Sequence, residues 1–228
     1  MIAITQGLKE FFVAKGIPSD KILVAPDGVD LDMFACSHVR MFEAREKLGL
    51  PQDKKIVLYT GHLYEWKGVY TLLKAAEKLP DFLFVFVGGT KEDIEEFKVK
   101  CSNVRNVRIV GHRPYQEIPY WLKSADVLVL PNSGKEEISR HWTSPMKMFE
   151  YMAAGRPIVA SNLPSIREIL NEENAILVEP DNPEALAWGV KEALQNSQLS
   201  DKISTRAFEE VKKYTWQERA KKICQKKF

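Results

Sequence analysis

The amino-acid sequence predicts an α/β fold built on a parallel sheet that is covered by helices on both faces. Short apolar runs rich in β-branched and aromatic residues recur between residues 56 and 178, and segments with helical periodicity separate them. The runs are apolar almost throughout, which is typical of parallel strands buried on both sides. We therefore expect a Rossmann-like, doubly wound unit over residues 51–212.

The predicted strands follow one another along this unit at 56–60, 82–87, 107–110, 127–130, 158–160 and 175–178. Helices are expected at 69–79, 91–100, 118–124, 145–154 and 165–171, and three more follow the last strand at 183–195, 200–213 and 216–226. In doubly wound sheets, ligands bind beyond the carboxyl ends of the strands. The loops that follow the strands are therefore the places to search for chemistry.

The first 50 residues have a different pattern. A strand end is expected at 2–6, a helix at 7–15, a strand at 22–24 with a turn at 26–30, and a helix at 39–48. We predict that residues 1–50 form the end of a preceding domain and an interdomain segment.

Composition excludes several classes of protein. The chain has 228 residues, 45% of them hydrophobic, and a net charge of +2, so we expect a large core and no nucleic-acid partner. No apolar run reaches the ~20 residues of a membrane span, and no secretory signal pattern begins the chain. Because Cys36, Cys101 and Cys224 are odd in number and far apart, neither a disulfide framework nor a zinc site is expected. We expect a cytoplasmic protein with reduced thiols.

The segment 144–155 is the most informative part of the sequence. Ser144 is expected to cap a helix whose first residue is Pro145, which leaves the backbone N–H groups of Met146 and Lys147 unpaired at its positive end. Such a helix end suits a diphosphate, and Glu150, one turn further on, suits two ribose hydroxyls. For an arbitrary helix, a simple cap and a surface ion pair between Lys147 and Glu150 would be the better interpretation. The flanking sequence favours the binding site.

That flanking sequence resembles a known family. Segments 5–9, 16–22 and 26–30 read TQGLK, GIPSDKI and PDGVD, and segments 61–68, 124–132 and 144–155 read GHLYEWKG, SADVLVLPN and SPMKMFEYMAAG. In this order and spacing they resemble the C-terminal, donor-binding half of retaining GT-B glycosyltransferases of family 4, the glycosyl transferases group 1. The final segment, 214–220, resembles the family's closing helix, so residues 213–228 are expected to form a C-terminal crossover helix.

The resemblance implies a function. Such a chain would supply the donor half of a hexosyltransferase, which moves a hexose from a nucleotide-diphosphate sugar to an acceptor glycan or lipid-linked sugar with retention. It leaves open a missing N-terminal half as partner and implies weak or no activity of this half alone. It also leaves open peripheral association with the inner membrane. We expect no cofactor, and since the sequence shows no metal-ligand cluster, we also expect no metal.

The loop 61–68 carries the expected catalytic residues. The resemblance gives Lys67 the neutralisation of the donor diphosphate and places His62 where an arginine is usual, with Gly61 beside them. Because a histidine, unlike an arginine, can be neutral near pH 7, the family's charge at this position is not carried over to His62. The alternative is a simple turn flanked by Gly61 and Gly68 with a solvated Lys67.

The remaining expected donor-binding residues come from two segments. His112 and Arg113 lie in a run that resembles the nucleobase-binding segment, although an ordinary strand-to-helix turn is the alternative. The other segment contributes Thr143, Ser144, Met146, Lys147 and Glu150.

Trp142 is the main departure from the family pattern, because a sugar-binding glutamate stands at this position in many members. Trp142 is expected to stack on a sugar face at most. Glu136 and Glu137 are candidate substitutes, although an acidic pair in a loop is more often only solvated.

Two other functions stay open. A non-catalytic nucleotide-binding or partner module is suggested by Trp142, by His62 and by the absent acceptor domain. A GT-B epimerase or phosphorylase ranks below it, because segment 144–155 resembles the transferases more closely. The sugar, the base and the acceptor are left open.

Overall fold

A computed structural model describes residues 1–35 and 39–226 of the chain. Its N-terminal part contains β1 (Ile2–Ala3), α1 (Gln6–Ala14), β2 (Leu23–Val24), α2 (Leu31–Ala35) and α3 (Met41–Leu48). Strands β1 and β2 pair in parallel, with Ile2 opposite Leu23, and form a small sheet of their own.

The predicted parallel sheet is confirmed. It contains β3 (Ile56–Thr60), β4 (Leu83–Val87), β5 (Val107–Gly111), β6 (Val127–Leu130), β7 (Ile158–Ser161) and β8 (Ile176–Val178). All its strands are parallel, in the order β5-β4-β3-β6-β7-β8. The chain therefore winds outward from β3 in one direction and from β6 in the other, which is the Rossmann arrangement with its switch point between β3 and β6.

Helices connect and cover these strands. They are α4 (Val69–Glu77), α5 (Lys91–Cys101), α6 (Ile118–Ser124), α7 (Met146–Ala154), α8 (Pro164–Arg167), α9 (Pro183–Gln195), α10 (Ser197–Val211) and α11 (Trp216–Gln225). Short 3-10 turns precede β2, α4 and α6, and a π-helical turn, Ile138–Trp142, precedes α7. None of the helices in the described ranges is long and apolar enough to cross a membrane.

The core lies on both faces of the large sheet because successive strand residues point to opposite sides. Ile56 and Leu58 of β3 pack into a cluster with α6 and α7. Val57 and Tyr59 pack on the other face with α4, α5 and α9. Burial on both faces explains why these strands are continuous apolar runs.

A buried ion pair fastens α3 to the sheet. The Arg45 guanidinium donates to the Asp126 carboxylate at 2.6 Å and to the carbonyl oxygen of Ser124 at 2.8 Å. Asp126 also accepts the backbone N–H of Ile56 at 2.7 Å, at the start of β3. Helix α3 is thereby joined to the strands that form the switch point.

The C-terminal helix returns to the interdomain segment. Arg219 of α11 donates to the carbonyl oxygen of Pro26 at 2.8 Å, and its guanidinium lies 3.8 Å from Asp27. Val29 and Thr215 form an isolated parallel bridge just before α11. The predicted domain division and crossover role remain predictions, and residues 227–228 lie outside the described residues.

Several predicted bounds were wrong. The strand expected at 2–6 ends at Ala3, because Thr5 caps α1 by accepting the backbone N–H of Leu8. The helix expected at 39–48 begins at Met41, and the one expected at 165–171 ends at Arg167. The sequence analysis missed α2 and the π-helical turn. The prediction for Cys36 falls outside the described residues.

Candidate functional site

A cavity of about 590 Å³ lies at the switch point, where the carboxyl ends of β3, β4 and β5 face the start of α7. Its lining residues come from the loops after these strands, from the interdomain segment and from α7. They are Ile4, Asp27, Thr60, Gly61, His62, Lys67, Val87, Gly88, Gly89, His112, Arg113, Tyr115, Ile118, Thr143, Ser144, Pro145, Met146, Lys147 and Glu150.

All ten residues predicted for the site line this one cavity. The structure brings together the loop after β3, the loop after β5 and the start of α7, as the position of loops in a doubly wound sheet requires. What each residue binds remains a prediction at this point.

The loop after β3 is held in a fixed shape. The Tyr59 hydroxyl donates to the carbonyl oxygen of His62 at 2.6 Å. Gly68 has a φ of +76°, and a Cβ atom there would lie 1.7 Å from the carbonyl oxygen of Pro131. Any other residue at position 68 would therefore push this loop away from the end of β6.

The start of α7 differs from the prediction in one detail. Helix α7 begins at Met146, and Pro145 occupies the preceding cap position in an extended conformation. Ser144 does not cap the helix, because its hydroxyl oxygen accepts the backbone N–H of Asp27 at 3.2 Å. Ser144 instead joins α7 to the interdomain segment. The first-turn N–H groups of Met146 and Lys147 still lie at the helix end beside the cavity.

Two side chains of α7 attach it to the end of β3. The Tyr151 hydroxyl accepts the backbone N–H of Thr60 at 2.8 Å. The Lys147 amine donates to the carbonyl oxygen of Thr60 at 2.9 Å and lies 3.8 Å from the centre of the Tyr59 ring. These contacts set the distance between the helix end and the loop after β3.

Lys147 is 9% exposed and Glu150 is 7% exposed, so neither belongs to a surface ion pair. Burial lowers the pKa of the Lys147 amine well below its ordinary value, and the charge of Lys67 lowers it further. Burial also lowers the pKa of Lys67 to about 8. Two amines whose protonated forms are destabilised by burial therefore face the same cavity.

The carboxyl group of Glu150 is perturbed in the opposite direction. Burial raises its pKa to about 7, although the Tyr115 hydroxyl donates to Oε1 at 3.2 Å and the charge of Lys147 opposes the shift. A carboxyl group whose pKa is about 7, and which accepts a hydrogen bond from a tyrosine inside a cavity, is typical of a functional site.

The histidines and Arg113 lie towards the outside. His62 stacks on Tyr64 with ring centres 4.8 Å apart, and its Nδ1 lies 3.9 Å from a carboxylate oxygen of Asp93. His112 and Arg113 are exposed at the rim, beyond the end of β5. They are open to a ligand that extends out of the cavity.

Trp142 and the two candidate substitutes for the family's sugar-binding glutamate, Glu136 and Glu137, lie outside the cavity. Trp142 packs against Phe11 of α1 with ring centres 4.9 Å apart. Glu137 pairs with Arg140 at 3.3 Å, and Glu136 is exposed in the same loop. Trp142, Glu136 and Glu137 are not among the described residues that line the cavity.

Sequence reasoning missed several lining residues. Tyr115 and Asp27 lie in segments that were recognised, but neither was assigned to the site. Gly88 and Gly89 directly follow the buried strand β4, and two consecutive glycines at the carboxyl end of a strand were a usable signal.

Chemically, the cavity can bind a polyanion beside a group with hydroxyls. Lys67, Lys147 and the end of α7 offer positive charge and N–H donors, and Glu150 offers acceptors. Within residues 1–35 and 39–226, no cluster of three or more histidine, cysteine or acidic residues could hold a metal ion.

Comparison with known proteins now decides the family. The model of the family described as glycosyl transferases group 1 matches residues 41–210, which is more than half of the chain. The chain belongs to the glycosyl transferases group 1 family. An uncharacterized glycosyltransferase of Methanocaldococcus jannaschii is 28% identical over 231 residues, covering 97% of this chain and 57% of that protein.

Solved structures agree with this glycosyltransferase assignment and with the GT-B fold. The C-terminal domain of a group 1 family protein from Francisella tularensis is 25% identical with a TM-score of 0.67, covering 83% of this chain and 100% of that chain. The Anabaena protein HepE, solved with UDP and glucose, is 20% identical with a TM-score of 0.82, covering 98% of this chain and 62% of that chain. This chain spans about half the length of the curated relatives it matches.

Proposed function

We propose that this chain binds the nucleotide-diphosphate-sugar donor of a hexosyltransferase that acts with retention. The observation that carries the proposal is the convergence of Lys67, the start of α7 and Glu150 on one cavity at the switch point of the sheet. Open α/β sheets bind their ligands at this place.

In this proposal the diphosphate lies between Lys67 and the first turn of α7. With a pKa of about 8, Lys67 is mainly protonated at pH 7 and attracts the diphosphate. The N–H groups of Met146 and Lys147 donate to its oxygens, and the helix dipole favours its charge. Since charge develops on the diphosphate as it departs, these groups stabilise the transition state, and we expect no metal or cofactor requirement.

Glu150 holds the ribose in this arrangement. Its carboxylate accepts hydrogen bonds from two vicinal hydroxyls, while Tyr115 fixes the position of Oε1. HepE, which has the same fold, was solved with UDP and glucose, and this supports a hexose donor and makes UDP the first nucleotide to test. Retention is proposed on the resemblance of the motifs.

The acceptor is proposed to bind outside this chain. Since the chain spans about half of its curated relatives, we expect the other half to hold an acceptor glycan or lipid-linked sugar. Positioning two substrates contributes roughly 7–11 kcal/mol to catalysis in favourable cases. This chain alone should therefore bind donor and transfer the hexose slowly or not at all. The proposal places the reaction in the cytoplasm, peripheral to the inner membrane where the acceptor is lipid-linked.

Calorimetric titration with UDP, GDP and ADP tests the donor site. We expect one nucleotide to bind, and Glu150→Ala to weaken it by about tenfold to a hundredfold, as loss of hydrogen bonds to a charged group predicts. Glu137→Ala removes an exposed carboxylate outside the cavity and should leave the affinity unchanged. Failure of the folded chain to bind all three, or equal weakening by both variants, would contradict the proposal.

A non-catalytic nucleotide-binding module is the second candidate. It is favoured by one observation, the packing of Trp142 against Phe11 at the position where a sugar-binding glutamate is usual. The two functions differ in whether the sugar contributes to binding. UDP-glucose that binds no tighter than UDP, to a chain that binds UDP, would favour the module.

A further inference from the structure

Lys147 has a side-chain environment that the proposed role of its backbone does not explain. Although the side chain is only 9% exposed, its amine makes one hydrogen bond, to the carbonyl oxygen of Thr60, and lies over the Tyr59 ring. An ammonium group has three N–H donors. The Thr60 carbonyl occupies one of them and the ring faces the group on another side.

The second amine of the cavity, that of Lys67, also has no carboxylate oxygen in contact within the described ranges, and the charge of Glu150 raises the pKa of Lys147 by less than burial and Lys67 lower it. The Lys67 Nζ lies 3.7 Å from the centre of the Trp66 ring, and its charge is close enough to depress the pKa of Lys147. In the part of the chain that the structure describes, no carboxylate oxygen lies within 4.0 Å of either Nζ. Two surface lysines differ, since Lys98 and Lys212 pair with acids at 2.6 and 2.7 Å.

The backbone beside Lys147 leaves room for a ligand. Gly61 follows β3, and a Cβ atom at this position would lie 3.1 Å from the Lys147 Nζ. Any side chain at position 61 would press on the amine. With glycine there, a ligand can reach the amine from the loop after β3 and touch the peptide backbone at the same time.

One buried ammonium and one half-buried ammonium, neither within 4.0 Å of a carboxylate oxygen in the described chain, are costly without a counter-ion, and an anion with several charges neutralises both at once. We propose that the side-chain ammonium of Lys147, together with Lys67, binds the diphosphate of the donor. This inference rests on the proposed function and adds a binding residue to it. Lys147 thereby acts twice, through its N–H at the helix end and through its amine.

The test compares a nucleoside diphosphate with its nucleoside, because only the first carries the group that Lys147 binds. The substitution Lys147→Met keeps the length of the side chain and removes its charge. We expect it to weaken binding of UDP, GDP or ADP, whichever the wild type binds, by about tenfold or more. Binding of the matching nucleoside, followed by NMR titration, should change by less than about twofold.

Two further variants make the result specific. Glu150→Gln should weaken diphosphate and nucleoside alike, because both contain the ribose, and Lys74→Met should change neither, since Lys74 is exposed on α4. Circular dichroism should show Lys147→Met to be folded. Unchanged diphosphate affinity in Lys147→Met, or equal losses for diphosphate and nucleoside, would overturn the role of Lys147 while leaving the donor site standing. A wild type that binds none of the nucleotides would overturn both.

Discussion

Glu150 shows how a single residue joins function to stability. The carboxyl group is buried beside Lys147 and Tyr115, and burial raises its pKa from an ordinary value of 4.5 to about 7. In the unfolded chain the same group is solvated and returns to its ordinary pKa. The carboxylate that is proposed to hold the ribose is therefore kept at the expense of folding free energy.

The sign of this effect can be tested. Between pH 4.5 and about 7 the folded state keeps the proton of Glu150 while the unfolded state releases it, so the free energy of unfolding falls as the pH rises through this window. Above pH 7 the loss is complete and amounts to about 3 kcal/mol. Glu150→Gln, which does not titrate, should therefore gain stability relative to wild type between pH 4.5 and pH 8.

Urea unfolding of both proteins at several pH values measures this difference. Glu137→Gln is the control, because Glu137 is exposed outside the cavity and its replacement should not produce the gain in stability expected for Glu150→Gln between pH 4.5 and about 7. A constant difference between Glu150→Gln and wild type across the window would contradict the raised pKa.

For single residues, the sequence predicted which side chains line the same cavity but not the hydrogen bonds between them. Lys67 lies in the loop after β3, Lys147 and Glu150 lie in the first two turns of α7, and the topology of a doubly wound sheet brings such positions together. The bond from Lys147 to Thr60 spans 87 residues, and the one from Tyr115 to Glu150 spans 35. No local pattern encodes such distances, because they depend on how α7 packs against β3.

At the scale of elements, α1 is attached to the molecule in an unusual way. None of its residues is buried. Its first turn is held by the Glu168 carboxylate, which accepts the backbone N–H of Gln6 at 2.8 Å and that of Gly7 at 3.3 Å. Thr5 donates to the carbonyl oxygen of His141 at 2.8 Å. Polar capping rather than apolar burial therefore holds this helix beside the turn that precedes α7.

Removing the cap should loosen α1 without disturbing the sheet. Glu168→Ala is expected to destabilise the attachment of α1 by about 1–2 kcal/mol, because two N–H groups lose a charged acceptor at the positive end of the helix. Hydrogen exchange measured by mass spectrometry should become faster in residues 6–14 and stay unchanged in β3 and β6. In Glu172→Ala, which removes an exposed carboxylate near α8, exchange in α1 should stay slow. Faster exchange throughout the sheet would contradict a local role for Glu168.

Strands were predicted better than the short helices. The bounds of β3 and β6 agree with the prediction to the residue, because both are continuous apolar runs. Helix α8 is shorter than predicted, since Glu168 turns towards α1 and the backbone N–H of Asn171 bonds to the side chain of Asn174 at 2.8 Å. These contacts involve side chains whose partners the local sequence does not specify. The π-helical turn before α7 likewise lies in a polar stretch without periodicity.

For the whole molecule, the order of the strands determines where the site lies. Strands β4 and β5 lie on one side of β3, and β6, β7 and β8 on the other, so the loops diverge at the switch point and leave a cavity. The family assignment agrees with this architecture, and the chain spans about half of its curated relatives.

Amide chemical-shift mapping with UDP, GDP and ADP is the sharpest test of the proposed donor site, because it locates the bound nucleotide on the folded chain. We predict that one nucleotide shifts the amides at 60–62, 88–89, 112–113 and 146–150, which surround the cavity, and that these shifts shrink in Glu150→Ala. Shifts confined to another surface, such as the groove between Glu173 and Arg206 of α10, would contradict the account, as would no shifts with any of the three nucleotides.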